Sequence, residues 1–331
     1  MDSVTSRQLP VERAEDMLSI IVPAHDEARV IGRLLGQLVS SADEGTLDIL
    51  VVANGCTDNT AEVAASFGPP VRVLSISAAS KREALAAGNR AVSGFPRLYV
   101  DADVELESCA ARELGRMLRR PDVLCASPER THDMTGPQWP VRWYYDVWER
   151  LPEVRCGLFG RGVVGLSEAG YTRLAARPPV LADDLAASLE FSPSERMIVP
   201  NARVIVHPPG TFADLLRIRT RAAMGTDQLE GTRGTPDSIA RTRATDLLAI
   251  ARQDVRLAPK VALFLMVALL ARMRARRAAA LTGYCEWLRD ESSRSAPALA
   301  GRRPRQEDRE RRRRVRKWLR VLPNQRRNRR S

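Results

Sequence analysis

The feature that most constrains this chain is the alternation of short β-branched runs with helical patterns over its first hundred residues. Leu18-Ser-Ile-Ile-Val22 stops at Pro23, and Leu47 to Val52 stops at Asn54-Gly55. Val71 to Ile76 forms a third run, and Arg97 to Val100 a fourth that ends at Asp101-Ala-Asp103. Between them lie helical patterns. Glu27 to Ser41 sets Ile31, Leu34, Leu35 and Leu38 on one face. Thr57 or Asp58 is placed to cap a helix over Ala61 to Phe67, and Lys81 to Val92 reads as a third helix. This order predicts an α/β fold with a mainly parallel sheet and helices on both faces. On such sheets, ligands sit at the carboxyl ends of strands. The polar clusters 23–27, 54–58 and 101–103 all fall there.

The remainder is less regular. Residues 121–177 are rich in Trp, Tyr, Gly and Pro and read as a wide loop with a short helix. Ala202 to Val206 reads as a strand. Residues 212–284 read mostly as helix, over Leu215 to Met224, Ile239 to Val255 and Val261 to Leu281. The apolar run Val261 to Ala271 falls short of the ~20 residues a spanning helix needs. It suits either a buried helix or one lying in a membrane interface. The sequence therefore divides into a leader (1–16), an α/β body (17–225), a helical region (226–291) and a basic, largely disordered tail (292–331).

The formal charge of +12 resides in that tail. Residues 300–331 hold fifteen Arg or Lys against Glu307, Asp308 and Glu310, which leaves the rest of the chain neutral. Within the tail, Val315, Trp318, Leu319 and Leu322 follow helical spacing among arginines. Near 310–322 this suits a basic amphipathic helix on an anionic membrane surface, a helix docked on the protein, or a solvated arginine run. The five cysteines are scattered with no CxxC pair, which argues against a disulfide framework or a zinc site and fits a reducing cytoplasm. The first sixteen residues carry no apolar signal segment.

Several residues have the chemistry of a site. Asp101 and Asp103, at i and i+2 after a strand, can share a divalent cation, and Mg²⁺ or Mn²⁺ prefers such oxygens together with substrate phosphates. Lys81, at the head of a helix, can approach a diphosphate. Asp183 and Asp184 precede a helical pattern and suit either an N-cap or a proton-abstracting carboxylate. His207 follows the strand at Ala202 to Val206 and is a candidate third metal ligand. Arg217 and Arg221 share a helix face and can neutralise a departing diphosphate. The glycines of Arg155-Cys-Gly-Leu-Phe-Gly-Arg-Gly162 allow close backbone approach to a ligand. Trp139, Trp143, Tyr144 and Trp148 suit core and lid packing or stacking on a sugar.

The ordered set Pro23-Ala-His-Asp-Glu27, Asn54-Gly-Cys-Thr-Asp58, Lys81, Asp101-Ala-Asp103 and Asp183-Asp184 resembles the family 2 glycosyltransferases of GT-A fold, over roughly residues 17 to 225. The resemblance implies a GT-A nucleotide-binding sandwich. It places Pro23, Ala24, His25, Glu27, Asn54 and Asp58 at the nucleoside, and Asp101 and Asp103 at a metal–diphosphate. It makes Asp184, beside Asp183, the catalytic base. The acidic residue common at the start of the second loop is Ala53 here, so the nucleobase stays open. Processive members carry Gln-x-x-Arg-Trp where this chain has Ile218 and Ala222, so the resemblance implies a non-processive enzyme. Its donor would be a nucleotide sugar and its acceptor a glycan or lipid-linked hydroxyl in glycan or polysaccharide assembly. Transfer would be inverting, in the cytoplasm or peripherally on the inner membrane face. Two other readings stand beside it. One is a retaining GT-A enzyme. The other is a degenerate transferase body whose arginine tail binds a polyanion, although nucleic acid is not the expected partner.

Overall fold

The computed structural model describes residues 17–40, 46–177, 183–233 and 242–282. The expectations for the leader and for the tail lie outside them. Along the chain, β1 (Leu18–Ala24), α1 (Ile31–Val39), β2 (Leu47–Asn54), α2 (Thr60–Ala65), β3 (Val71–Ile76), α3 (Lys81–Ala91) and β4 (Arg97–Val100) alternate. Then come β5 (Glu105–Leu106), α4 (Ser108–Leu118), β6 (Cys125–His132), α5 (Trp139–Trp148), α6 (Pro152–Cys156), β7 (Val163–Leu166) and α7 (Glu168–Ala175). The last elements are α8 (Asp183–Glu190), β8 (Arg196–Val206), α9 (Phe212–Arg233), α10 (Ala244–Gln253) and α11 (Ala258–Thr282).

Strand pleating sorts the side chains of β1 onto two faces. Leu18, Ile20 and Val22 join one core and Ile21 another. A strand buried on both sides needs a helical layer on each. Ile31, Leu34, Leu35 and Leu38 of α1 are fully buried on the first face, with Ala110, Ala111 and Leu114 of α4 beside them. Each such leucine or isoleucine contributes roughly 1.5–3 kcal/mol by leaving water. Ala84 and Ala87 of α3 cover the second face. Ser80 caps α3 by accepting from Glu83 N at 3.3 Å. The N-cap position of α2 is Asn59, with no side-chain bond, and the expected capping contact comes from Asp58, whose Oδ1 accepts from Thr60 N at 3.0 Å. Thr57 and Asp58 are also engaged with the β1 loop.

The sheet order is β3-β2-β1-β4-β7-β6-β8-β5. The first four strands are parallel; β7 runs antiparallel between β4 and β6, and β5 antiparallel to β8. Residues 121–177 are more regular than their composition predicts. Strand β6 carries Pro128 at a register shift against β8, where a bulge relieves the ladder of its missing donor. A second core joins α5, α9, α10 and α11 through Val141, Tyr144, Leu215, Leu216, Ile250, Phe264 and Val267. Within the run 261–271, Val261, Phe264, Val267 and Ala271 are buried while Leu265, Met266 and Leu269 are exposed. Among the described residues, no helix is long and apolar enough to cross a membrane.

Candidate active site

The loops after β1 and β2 are built as one unit. Asp26 adopts φ 49°, the left-handed region that Asp tolerates better than most side chains. This turn lets its Oδ1 accept from Thr57 N at 2.6 Å, Thr57 Oγ1 at 3.2 Å and Asp58 N at 3.3 Å. Burial opposes ionisation of Asp26, but those bonds and neighbouring His25 together hold its carboxyl below the usual range. In return, Asp58 Oδ2 accepts from Ala28 N at 3.2 Å, and Thr60 Oγ1 from Glu27 N at 2.7 Å. The buried Asn54 amide donates to Ala24 O at 2.6 Å and accepts from Ser80 N at 3.2 Å, tying β1, β2 and the head of α3 together. Gly55 turns at φ 58°, and a Cβ there would stand 2.8 Å from Ala79 backbone. Beyond this unit a hollow of about 530 Å³ opens between β2, α2 and β3, lined by Gly55, Cys56, Asp58, Glu62, Ser75 and Ser77.

A second group gathers at the end of β4. Lys81 Nζ donates to Asp101 Oδ1 at 2.7 Å, and Asp101 N donates to Gly162 O at 2.8 Å. Gly162 has φ 65°, and a Cβ there would lie 2.4 Å from Val104 Cγ1, so only glycine lets the strand start this close to the aspartate turn. Arg33 donates from Nη2 to Asp103 O at 3.2 Å and pairs through Nε with Glu105 at 3.4 Å. Glu105 also accepts from Gln37 at 2.6 Å and meets His207 Nε2 at 2.9 Å, while His207 Nδ1 faces Asp133 at 3.6 Å. The His207 bond, against the opposing effect of burial, holds the Glu105 carboxyl below its ordinary range. The β5–β8 register pairs Glu105 with Ile205, so Asp103 and His207 flank the same end of that ladder.

The remaining candidates lie on other elements. Asp183 and Asp184 begin α8, but their side chains lie outside the described ones. Arg217 pairs with Asp214 on its own helix at 2.7 Å, and Arg221 is exposed. Arg219, between them, lies 5.7 Å over the Tyr144 ring. Of the aromatics, Tyr144 and Trp148 are core, while Trp139 is exposed and packs edge-on against Trp143.

Over this arrangement, residues 19–167 match the family model "Glycosyl transferase family 2". Residues 19–167 form a glycosyl transferase family 2 domain. No curated protein matches the sequence. Among solved structures, a mannosyltransferase from Pyrobaculum calidifontis in complex with GDP-Man and Mn²⁺ is similar at TM-score 0.53 and 19% identity, over 84% of each chain. The glucosyl-3-phosphoglycerate synthase of Mycobacterium tuberculosis in complex with UDP is similar at TM-score 0.49 and 19% identity, over 71% of this chain and 88% of that one. The first of these likenesses concerns the fold, which is GT-A.

Among the described residues, one group of His, Cys, Asp or Glu side chains lies close enough together to hold an ion. His25, Asp26 and Cys56 offer atoms within 4.8 Å of one another. Burial pushes the Cys56 thiol up, and a protonated thiol is a poor ligand. The expected set, Asp101 and Asp103 with His207, is not drawn together in this way: Lys81 holds Asp101, and Glu105 and Asp133 face the two ring nitrogens of His207. Its carboxylates and imidazole are donors suited to Mg²⁺ or Mn²⁺, and an ion bound there would displace those partners.

Sequence reasoning missed Asp26, Arg33, Gln37, Glu105 and Asp133. Asp26 carried a signal, since Asp in a polar turn is suited to positive φ. Arg33, Gln37 and Glu105 sit on helix or strand positions that read as solvated polar faces and Asp133 just after β6, and only long-range pairing reveals them. It also missed Arg130 and Arg161. Arg161 donates to Gly157 O, Pro128 O and Arg155 O, and Arg130 to Phe159 O and Val154 O. Burial pushes Arg161 down to about 9 and Arg130 to about 10, yet both remain cations at neutral pH. Together they fasten the loop 154–161, just before Gly162, onto β6.

Proposed function

We propose that this glycosyltransferase moves a sugar from a nucleotide diphosphate donor to an acceptor hydroxyl in a single inverting displacement, one sugar at a time. The observation that carries the reading is the Lys81–Asp101 pair at 2.7 Å beside the Asp103 turn, at the carboxyl end of β4. Lys81 is placed to exchange its carboxylate for a donor phosphate oxygen. The interlocked loops at 23–28 and 54–60 form the nucleoside side, with the polar hollow beyond them as space for a base. Asp101, Asp103 and His207 would hold the divalent ion, which neutralises charge growing on the leaving diphosphate. The Pyrobaculum calidifontis enzyme of the same fold was solved with GDP-Man and Mn²⁺, which supports that donor class.

Asp184, at the start of α8, takes the acceptor proton as the hydroxyl oxygen attacks. Arg217 and Arg221 meet the departing diphosphate. The acceptor is a glycan or lipid-linked hydroxyl, approached along the loop 155–162. Retaining transfer is the second reading, favoured by His207 standing at the same ladder end as Asp103. NMR of the product's anomeric configuration separates the two.

The test is a panel of nucleotide sugars with Mn²⁺, read as nucleoside diphosphate release and product mass. Asp103→Ala and Asp184→Ala are expected to lose at least about a hundredfold in rate while remaining folded. Full turnover in either folded variant would refute the assignment.

A further inference from the structure

Helix α11 is built for two environments. One side, with Val261, Phe264, Val267, Ala271 and Ala275, is buried in the second core. The opposite arc exposes Ala262, Leu265, Met266, Leu269 and Met273, at i, i+3, i+4, i+7 and i+11. Leu269 is 59% exposed and Met273 52%, far more than isolated surface apolar residues need. At 1.5 Å per residue this stripe runs for roughly 16 Å. It then gives way on the same arc to Arg272, Arg276 and Arg277, all exposed. The helix holds five cations and no acidic residue.

That charge pattern selects the occupant. A second copy packed face to face would bring arginines from both chains into an interface to which α11 contributes no counter-charge, which is costly. The chain's own residues 300–331 carry fifteen basic residues against three acids and are a poor complement to the same arginines. An anionic lipid surface answers both features. Its acyl boundary takes the leucine and methionine side chains, and its headgroups take the guanidinium groups. We propose that the exposed arc of α11 docks in the plane of an anionic membrane. The inference is independent of the transferase reading.

The test is sedimentation of the full chain with phosphatidylcholine vesicles, with and without phosphatidylglycerol. Binding is expected only with the anionic lipid and is expected to weaken as salt rises. The double variant Leu265→Asp/Leu269→Asp should lower partitioning at least about tenfold, with circular dichroism and thermal midpoint unchanged because both positions are exposed. Arg272→Glu/Arg276→Glu should lower it about as much at low salt, without touching the apolar stripe. Three results would overturn the proposal. The parent chain could fail to bind anionic vesicles. Both variants could bind as the parent does, which would assign binding to residues 300–331. Analytical ultracentrifugation could show a dimer that Leu265→Asp/Leu269→Asp dissociates with lipid binding intact.

Discussion

Glu105 and His207 meet across the antiparallel β5–β8 edge, Oε1 to Nε2 at 2.9 Å, with Arg33 linking the same carboxylate to the backbone of Asp103. This contact fixes the strand that follows the aspartate turn to the segment that follows β8.

Its pH dependence follows from the depressed Glu105 carboxyl. The unfolded group titrates near 4.5 and the folded one below it. Its contribution is therefore fully present above about pH 4.5 and is lost as pH falls through the folded value. Glu105→Gln is expected to cost about 1–2 kcal/mol at neutral pH, with the gap to the parent closing in acid. Urea denaturation at several pH values measures it. A gap that widens on acidification would contradict the assignment.

The Lys81–Asp101 pair is partly exposed, so it adds little to stability, at most about 1 kcal/mol. In the proposed function its weight falls on the donor. Lys81→Met is expected to raise the donor KM about tenfold or more while the thermal midpoint stays near that of the parent, as steady-state kinetics would show.

Gly162→Ala tests the close approach of β7 to the aspartate turn. The added methyl meets Val104 at 2.4 Å in a left-handed backbone conformation, and a cost of about 2–4 kcal/mol is expected. Because Gly162 O accepts from Asp101 N, calorimetry should also show weaker nucleotide binding in the surviving folded protein.

Arg161→Met removes the shared donor of Gly157, Pro128 and Arg155 carbonyls. Unpaired buried carbonyls cost more than the relief of a buried charge returns, so a loss of about 2–4 kcal/mol is expected in denaturant melts.

Much of this architecture was legible in the residues. Strands β1 to β4 declare themselves through β-branched runs, and α1 through the spacing of Ile31, Leu34, Leu35 and Leu38. Strand β6 did not, because Cys125–His132 carries Pro128, Glu129 and Arg130 and takes its pairing from β7 and β8. For the site, Asp101 and the loops after β1 and β2 were readable as polar clusters at strand ends and Lys81 as the head of a helix, and the structure joins Lys81 to Asp101. The Arg33–Glu105–His207 relay was not, since its partners are 72 and 102 residues apart and no local pattern encodes such a bond. Thr57 and Asp58 have the chemistry of helix caps; Asp58 bonds Thr60 N at the head of α2 and Ala28 N as well, while Thr57 is taken up by Asp26.

The most direct test of the central claim is isothermal titration calorimetry of UDP and GDP against the full chain, with Mn²⁺ and with chelator. One of the two nucleotides is expected to bind with Mn²⁺, to lose at least about tenfold in affinity under chelation, and to lose as much in Asp103→Ala. Nucleotide binding of equal strength with chelator, or in a folded Asp103→Ala chain, would contradict a metal–diphosphate site at the end of β4.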